Sequence, residues 1–193
     1  NGDIDGYCHL VENSLRPLLT ERGVDQAQVL LSMFDKDGNP YMGDPRQVLQ
    51  ALVTRFTEKE LKPCMAVELE FSLLPKPEIS EAIGTALRDQ NAVGGNLYAL
   101  SELDYHGPLL EALRQAFDTQ DLPYEGIIKE SAPSQFEINV AHSDDVMLLA
   151  DQVIRMQRTI RAVSARHGFV ASFMPKPIDD EAGNGLHVHC SLL

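Results

Sequence analysis

The sequence predicts an α+β fold in which helices cover one face of a sheet. Short apolar segments of strand type alternate along the chain with segments whose apolar residues recur at helical spacing. The 193-residue chain is 44% hydrophobic and 23% charged, which is typical of a globular protein with a substantial core. A sheet backed by helices buries both kinds of apolar surface together.

The first part of the chain predicts few regular elements. Residues 1–23 read as an irregular acidic start, residues 26–34 as a strand, and residues 35–40 as a turn because Asp, Gly, Asn and Pro favour chain reversal. Asp44 and Pro45 are the N-cap and first residue of a predicted helix that ends near residues 60–63.

The remaining chain predicts most of the sheet. Strands are expected at residues 65–74, 169–173 and 186–191, and a hairpin at residues 126–140. Residues 75–96 are the least regular part, with a possible short helix over residues 80–89. A helix begins with a capping box at Ser101, and the longest helix is capped by residues 143–145 and ends near residue 167.

Side-chain roles in the two helices follow from the same periodicity. Phe117 and three leucines form the buried face of the first helix, and His106 before them is interpreted as a surface or capping residue. In the longest helix, Ile154 belongs to the inward face. Its arginines are expected mostly on the solvated side: Arg155, Arg158, Arg161 and Arg166.

Acidic residues occur in pairs on the predicted strands. Glu68 and Glu70 are two residues apart in an apolar strand, so both carboxylates lie on one face. Glu130 and Glu137 lie on the two arms of the hairpin, near its corner. Each acid alone would more often be exposed or paired with a base. Burying several together requires positive partners, which indicates a site for divalent cations.

The last strand adds two histidines to this set. His187 and His189 alternate with Val188, so both imidazoles lie on one face, where one can hold a metal and the other contact a ligand. A single histidine in a strand is more often a core residue. Oxygen ligands favour Mg²⁺ or Mn²⁺, whereas zinc would require more His and Cys. Cys190 should face the opposite side of the strand, in the core.

Composition excludes several classes of protein. With 16 Lys and Arg against 29 Asp and Glu, the net charge of −13 argues against nucleic-acid binding. Three cysteines without a C-x-x-C motif predict reduced thiols and a cytoplasmic location. The sequence has no apolar run of about 18 residues, so no membrane is expected as a partner. It also lacks a P-loop motif.

Three motifs in order resemble the catalytic domain of the glutamine synthetase superfamily. They are the E-x-E strand at Glu68, the E-x-A-P-x-Q-x-E hairpin at residues 130–137, and F-M-P-K-P at residues 173–177 followed by a Gly-rich loop and H-x-H. Residues 2–6, 43–47 and 173–177 are most similar to the branch that glutamylates amines larger than ammonia, such as the γ-glutamylpolyamine synthetases.

The resemblance implies a domain organisation. Residues 44–193 would be the first part of a catalytic domain with a mostly antiparallel sheet, and residues 1–43 an N-terminal segment leading into it. Because the sequence stops within an apolar strand, we expect it to be a fragment, incomplete at the C-terminal side and inactive alone.

The resemblance also implies roles for individual residues. Glu70, Glu130 and Glu137 would hold one divalent ion, Mg²⁺ or Mn²⁺, and Glu68 and His187 a second. No catalytic residue separate from the metal ligands is expected. The remaining implied contacts are His189 with the phosphates of ATP, Glu125 and Ser191 with ATP, and Gly183 with glutamate. The sequence departs from the family at Ser134, where Gly is common and Ser is tolerable if φ is negative, and at Ala182, where glutamine synthetases often have Asn.

The activity implied is that of an ATP-dependent carboxylate–amine ligase. Such an enzyme makes γ-glutamyl phosphate from glutamate and transfers the acyl group to a primary amine or polyamine. Two alternatives remain: glutamine synthetase itself, which uses ammonia, and a non-catalytic structural or regulatory protein of the same family. The family also implies a homo-oligomeric ring of subunits.

Overall fold

The computed structural model describes residues 6–20, 23–76 and 97–193, and it confirms the α+β architecture. The possible helix over residues 80–89 lies outside this part of the chain. The strands are β1 (Tyr7–Leu10), β2 (Arg16–Thr20), β3 (Gly23–Gln28), β4 (Leu31–Phe34), β5 (Pro63–Pro75), β6 (Tyr124–Lys129), β7 (Gln135–Ser143), β8 (Phe169–Ser172) and β9 (Leu186–Leu192). The helices are α1 (Pro45–Thr57), α2 (Leu100–Tyr105), α3 (Gly107–Gln120) and α4 (Val146–Arg166).

The main sheet is antiparallel and is organised around β5. Its order is β6-β7-β5-β8, and β9 also pairs with β5. The 13 residues of β5 are enough to serve two partners on one edge, so β9 pairs with its first half and β8 with its last four residues. The segment between β8 and β9 therefore crosses the middle of β5, next to Glu70.

The core lies between one face of this sheet and the helices α3 and α4. Phe71 of β5, Phe136 of β7 and Phe117 of α3 are fully buried there, together with Met156 and Ile160 of α4. Burying each such side chain stabilises the fold by about 1.5–3 kcal/mol. The predicted inward face of α3 is confirmed. Because apolar residues of β5 and β7 fill this face, their alternating acids lie on the other one.

The predicted turn and helix cap after β4 are confirmed. Asp35 Oδ1 accepts hydrogen bonds from the backbone of Asp37 at 2.9 Å and Asn39 at 2.8 Å, and Gly38 has a φ of +83°. The Asp44 carboxylate accepts from the Arg46 backbone at 2.9 Å and from the Met33 backbone at 2.9 Å. Asp44 therefore joins β4 to the first turn of α1 as well as capping it.

The irregular start predicted for residues 1–23 was wrong. This part of the chain contains β1 and β2, which pair antiparallel with β4 and β3, and the single strand expected at residues 26–34 is divided between β3 and β4. The residues of β1 are all exposed, so hydrophobic alternation does not mark it as a strand. Strand β1 is instead defined by its backbone pairing with β4.

Three helix predictions also require correction. The helix expected to begin with a capping box at Ser101 instead begins at Leu100, with Ala99 at the N-cap and no side-chain cap. It is interrupted at His106, and α3 begins at Gly107 with Pro108 in its first turn. In α4, Ile154 is 60% exposed and Arg155 only 3% exposed, the reverse of the prediction. Arg155 is buried because the segment before β2 packs over it.

No helix in the described ranges is long and apolar enough to cross a bilayer.

Candidate metal and nucleotide site

The register of three strands gathers the predicted acids and histidines on the sheet face opposite the core. In the ladder between β5 and β7, Glu70 lies opposite Glu137. In the ladder between β5 and β9, Glu68 lies opposite His187, and His189 lies opposite Ala66. Residues far apart in the sequence thereby become neighbours. The prediction that Glu68 with Glu70, and His187 with His189, share one face of their strand is confirmed.

Glu68 is the centre of the contacts with the histidines. His187 Nδ1 lies 2.9 Å from Glu68 Oε2, and His189 Nε2 lies 2.9 Å from Glu68 Oε1. The hydrogen bond from His187, and then that from His189, lowers the pKa of the Glu68 carboxyl, while the bond to Glu68 raises the pKa of His187. Both imidazoles are more than half exposed, so each is accessible to a ligand.

Glu137 completes a group that can coordinate a cation. One ligand atom each from Glu68, Glu137 and His187 lie within 4.8 Å of one another. Glu137 is 9% exposed, and burial, followed by the charges of Glu68, Glu130 and Glu70, raises the pKa of its carboxyl. Two carboxylate oxygens and an imidazole nitrogen suit Mg²⁺ or Mn²⁺, and a divalent ion would remove the repulsion among the acids.

The structure groups the acids differently from the two sets implied by the family resemblance. Glu137 lies with Glu68 and His187, whereas Glu70 Oε2 accepts a hydrogen bond from Gln135 Nε2 at 2.9 Å. Glu130 contributes to the negative field at Glu137. The assignment of these residues to two ions therefore remains a prediction.

Gln135 and Asn184 are two residues that sequence reasoning missed. Gln135 is 1% exposed, and besides Glu70 its Nε2 contacts the Gly183 carbonyl at 2.9 Å and Asn184 Oδ1 at 3.2 Å. Asn184 Nδ2 donates to the Met174 carbonyl at 2.9 Å. Gln135 alternates with Glu137 on β7, and that spacing was the available signal for it. Gln135 and Asn184 together hold the Gly-rich loop against β5 and β7.

Two glycines of this loop lie close to other atoms of the site. A Cβ at Gly183 would lie 2.2 Å from the Pro175 carbonyl oxygen. A Cβ at Gly185 would lie 2.8 Å from Glu70 Oε1 and 3.0 Å from His187 Nε2. A side chain at Gly183 would therefore force the loop away from the Pro175 backbone, whereas one at Gly185 would displace the ends of the Glu70 and His187 side chains.

The hairpin corner that carries Glu130 is supported from the core side by a buried lysine. Lys129 has no exposed side-chain surface, and its Nζ donates to the carbonyls of Glu130 and Ala132, the latter at 2.7 Å. Glu102 of α2 lies 3.6 Å from Nζ. Burial lowers the pKa of Lys129, and the neighbouring charge of Glu102 opposes that effect. Lys129 thus holds the corner closed beneath Glu130.

Ser134 and His106 continue this buried network and require two corrections. Ser134 has a φ of +53°, not the negative angle expected to make it tolerable. Its amide donates to Glu102 Oε2 at 2.6 Å, and its Oγ lies 3.0 Å from His106 Nε2. His106 is the capping residue between α2 and α3, as one of its two interpretations expected, but it is 1% exposed rather than on the surface. Burial, assisted by the charge of Lys129, lowers its pKa to about 4. These bonds compensate the left-handed backbone of Ser134.

A cavity of about 210 Å³ adjoins the acids, and it brings together two of the predicted nucleotide contacts. Glu125 and His189 both line it, beside Glu68. Ser191 is farther along β9, and its Oγ donates to the Cys64 carbonyl at 3.4 Å. Cys190 is exposed, not in the core as expected, because no described element covers the face of β9 that it shares with Val188.

Comparison with known proteins identifies the family of the chain. The family model of the glutamine synthetase catalytic domain matches residues 42–193. The chain belongs to the glutamine synthetase catalytic domain family. Within it, the chain is 33% identical over 198 residues to γ-glutamylputrescine synthetase PuuA of Escherichia coli, covering 99% of this chain and 41% of PuuA.

Two further relatives in the family are a glutamine synthetase and a glutamate–isopropylamine ligase. The chain is 29% identical over 199 residues to glutamine synthetase of Thermotoga maritima, covering 98% of the chain and 44% of that protein. It is 29% identical over 168 residues to glutamate–isopropylamine ligase of a Pseudomonas species, covering 86% and 36%. The chain thus spans about two fifths of the length of the curated relatives it matches.

Solved structures of the family share the fold. A GmaS–ADP complex superposes with a TM-score of 0.82 at 23% identity, covering 97% of this chain and 42% of the other. Glutamine synthetase of Plasmodium falciparum gives a TM-score of 0.83 at 18% identity, covering 98% and 41%.

Proposed function

We propose that this chain is part of an ATP-dependent ligase that joins glutamate to an amine through γ-glutamyl phosphate. The observation that carries the proposal is the grouping of Glu68, Glu137 and His187 within 4.8 Å, beside Glu70, on the one face that the helices leave open. Residues 44–193 would form the first part of the catalytic domain and residues 1–43 the segment that leads into it.

The acids are proposed to bind two divalent ions, Mg²⁺ or Mn²⁺. Glu70, Glu130 and Glu137 would hold one, and Glu68 and His187 the other. When bound, these ions would neutralise the charge of the transferring phosphate. The carboxylates need this partner because Glu137 is buried among three other acids, which raises its pKa.

The surrounding residues are proposed to position ATP and glutamate. His189, oriented by Glu68 at 2.9 Å, would contact the phosphates, and Glu125 in the same cavity would contact the nucleotide together with Ser191. The backbone of Gly183, fixed by Gln135, would line the glutamate pocket. These groups bind and orient, and no residue separate from the metal ligands is assigned to the chemistry.

An organic amine is the proposed acceptor. The similarity to γ-glutamylputrescine synthetase at 33% identity and to glutamate–isopropylamine ligase at 29% supports this class, as does Ala182 in place of the Asn frequent in glutamine synthetases. The second candidate is ammonia, which the 28–33% identity to six glutamine synthetases favours. We further propose that the protein works as a homo-oligomer in the cytoplasm.

The test is phosphate release from ATP by the full-length protein with glutamate and Mg²⁺. Putrescine, isopropylamine, ethanolamine and ammonium are compared as acceptors. Release that depends on one organic amine would establish the proposal and name the substrate, whereas release with ammonium alone would establish glutamine synthetase. No release from a folded protein that binds Mn²⁺ would contradict both and favour a non-catalytic role.

Two variants show whether any release depends on the site. Glu70→Gln removes a predicted metal ligand and should abolish turnover while the fold is retained. Glu111→Gln is the matched control, because Glu111 is an exposed acid on α3, and it should leave turnover unchanged. Normal turnover in Glu70→Gln would refute the metal assignment.

A further inference from the structure

A second concave site lies where the segment between β1 and β2 meets the first half of α4. This cleft has a volume of about 320 Å³ and is lined by three arginines, Arg16, Arg46 and Arg155. None of the described residues that line it belongs to the site proposed for metal, ATP or glutamate. The cleft is therefore distinct from the site proposed for the ligase reaction.

Arg155 is the unusual member of the three. It is 3% exposed, and its Nη2 donates to the Ser14 carbonyl at 2.9 Å. Its Nε is buried and has no hydrogen-bond partner among the described residues, nor does the guanidinium form an ion pair within that part of the chain. Burying a charge in this way is unfavourable unless a counter-ion is supplied.

Among the described residues, the carboxylates that line the cleft form no direct ion pair with Arg155, although the charge of Asp151 acts on it. Asp151 lies one turn before Arg155 on α4, but its two oxygens accept from Arg46, Nε to Oδ1 at 3.1 Å and Nη2 to Oδ2 at 3.2 Å. Asp145 Oδ1 accepts from the Leu148 backbone at 2.9 Å as the cap of α4. Glu12 is exposed at the rim. Arg155 therefore lines a cleft in which its guanidinium bonds a backbone carbonyl and no described carboxylate directly.

A small oxyanion is the ligand whose chemistry fits these groups. A guanidinium presents parallel N–H groups that match the oxygens of a carboxylate or phosphate. Arg16 is close enough for its charge to act on Arg155, and it adds a second cationic group.

We propose that this cleft binds a small oxyanion, a carboxylate or a phosphate group, between Arg16 and Arg155. The bound anion would neutralise the buried guanidinium and stabilise the packing of the N-terminal strands on α4. This proposal is independent of the proposed ligase activity.

The experiment measures thermal unfolding and calorimetric binding of the full-length protein with inorganic phosphate, sulfate and succinate. Sodium chloride at matched ionic strength controls for general screening. A saturable rise in Tm with at least one oxyanion and none with chloride is expected. Phosphate or sulfate alone would identify a phosphate-type ligand, and succinate alone a carboxylate ligand.

Variants assign the effect to the cleft. Arg155→Met should weaken oxyanion binding at least tenfold, and Arg16→Gln, which leaves the buried residue in place, should also weaken it. Arg158→Met is the control, because Arg158 is exposed on the same helix and does not line the cleft. The proposal is overturned if no oxyanion acts beyond chloride, or if Arg155→Met and Arg16→Gln both bind like the unmodified protein.

Discussion

Replacing Glu137 by Gln should stabilise the metal-free protein at neutral pH. Ligand atoms of Glu68 and Glu137 lie within 4.8 Å of each other, which corresponds to a repulsion of about 1 kcal/mol in the dielectric of water and about 3 kcal/mol at an effective dielectric constant of about 20. Because Glu68 is partly exposed, we expect the gain in the free energy of unfolding to lie between these limits, at about 1–3 kcal/mol.

The raised pKa of Glu137 determines how the stability gain of Glu137→Gln changes with pH. The pKa of Glu137 is raised in the folded protein, so the folded state binds more protons than the unfolded state between the ordinary and the raised pKa. Stability contributed by this group is therefore present at low pH and lost as the pH rises through the raised pKa. The advantage of Glu137→Gln should shrink towards pH 4, where the native carboxyl is protonated.

Urea unfolding followed by circular dichroism measures both effects. With EDTA at pH 7.5 the variant should unfold at higher urea than the unmodified protein, and with Mn²⁺ the order should reverse because the variant has lost a ligand. Glu111→Gln, an exposed acid on α3, should change stability by no more than about 0.5 kcal/mol. A Glu137→Gln protein that is no more stable than the unmodified one in EDTA would refute the reasoning.

Three further predictions concern the buried network behind the hairpin corner. Ser134→Ala should be less stable than Ser134→Gly by about 1–2 kcal/mol. Both variants lose the contact with His106, but only Gly removes the backbone strain of the φ of +53°. Equal urea midpoints for the two variants would contradict this prediction. In an NMR titration, His106 should stay neutral until the pH falls to its pKa of about 4. Because this pKa lies below the ordinary value of 6.5, the folded protein should lose about 3 kcal/mol of stability as the pH falls from the ordinary pKa to the lowered one. Titration near 6.5 would show that the ring is exposed. Lys129→Met should destabilise by about 1–3 kcal/mol because the Ala132 carbonyl loses its donor, whereas exposed Lys59→Met should be neutral in the same unfolding assay.

The parts of the site that sequence could predict are those with a regular spacing. The two-residue intervals of Glu68 with Glu70 and of His187 with His189 fix which face of a strand each pair occupies, whatever the neighbouring strands are. The order of the motifs fixed the family. Which residues meet across strands depends on register, and the pairing of Glu68 with His187 is visible only in the ladder between β5 and β9.

The missed features depend on tertiary contacts. Arg155 has the spacing of a surface residue, and only the packing of the segment around Ser14 over α4 buries it. His106 is buried because its ring packs against Phe136 and Phe169 from separate strands. The φ of Ser134 is set by the Glu102 carboxylate and by Leu73, whose amide donates to the Ser134 carbonyl at 2.9 Å. None of these partners is near in sequence.

The central claim, that the acids and histidine of β5, β7 and β9 hold divalent ions, is tested most directly by a crystal structure of the full-length protein with Mn²⁺. Anomalous diffraction at the manganese edge locates the ions without reference to activity. We predict one peak in contact with Glu70, Glu130 and Glu137, and a second in contact with Glu68 and His187, close enough together that Glu137 lies beside both. A map with no peak within about 3 Å of any of these carboxylates, at saturating Mn²⁺, would contradict it.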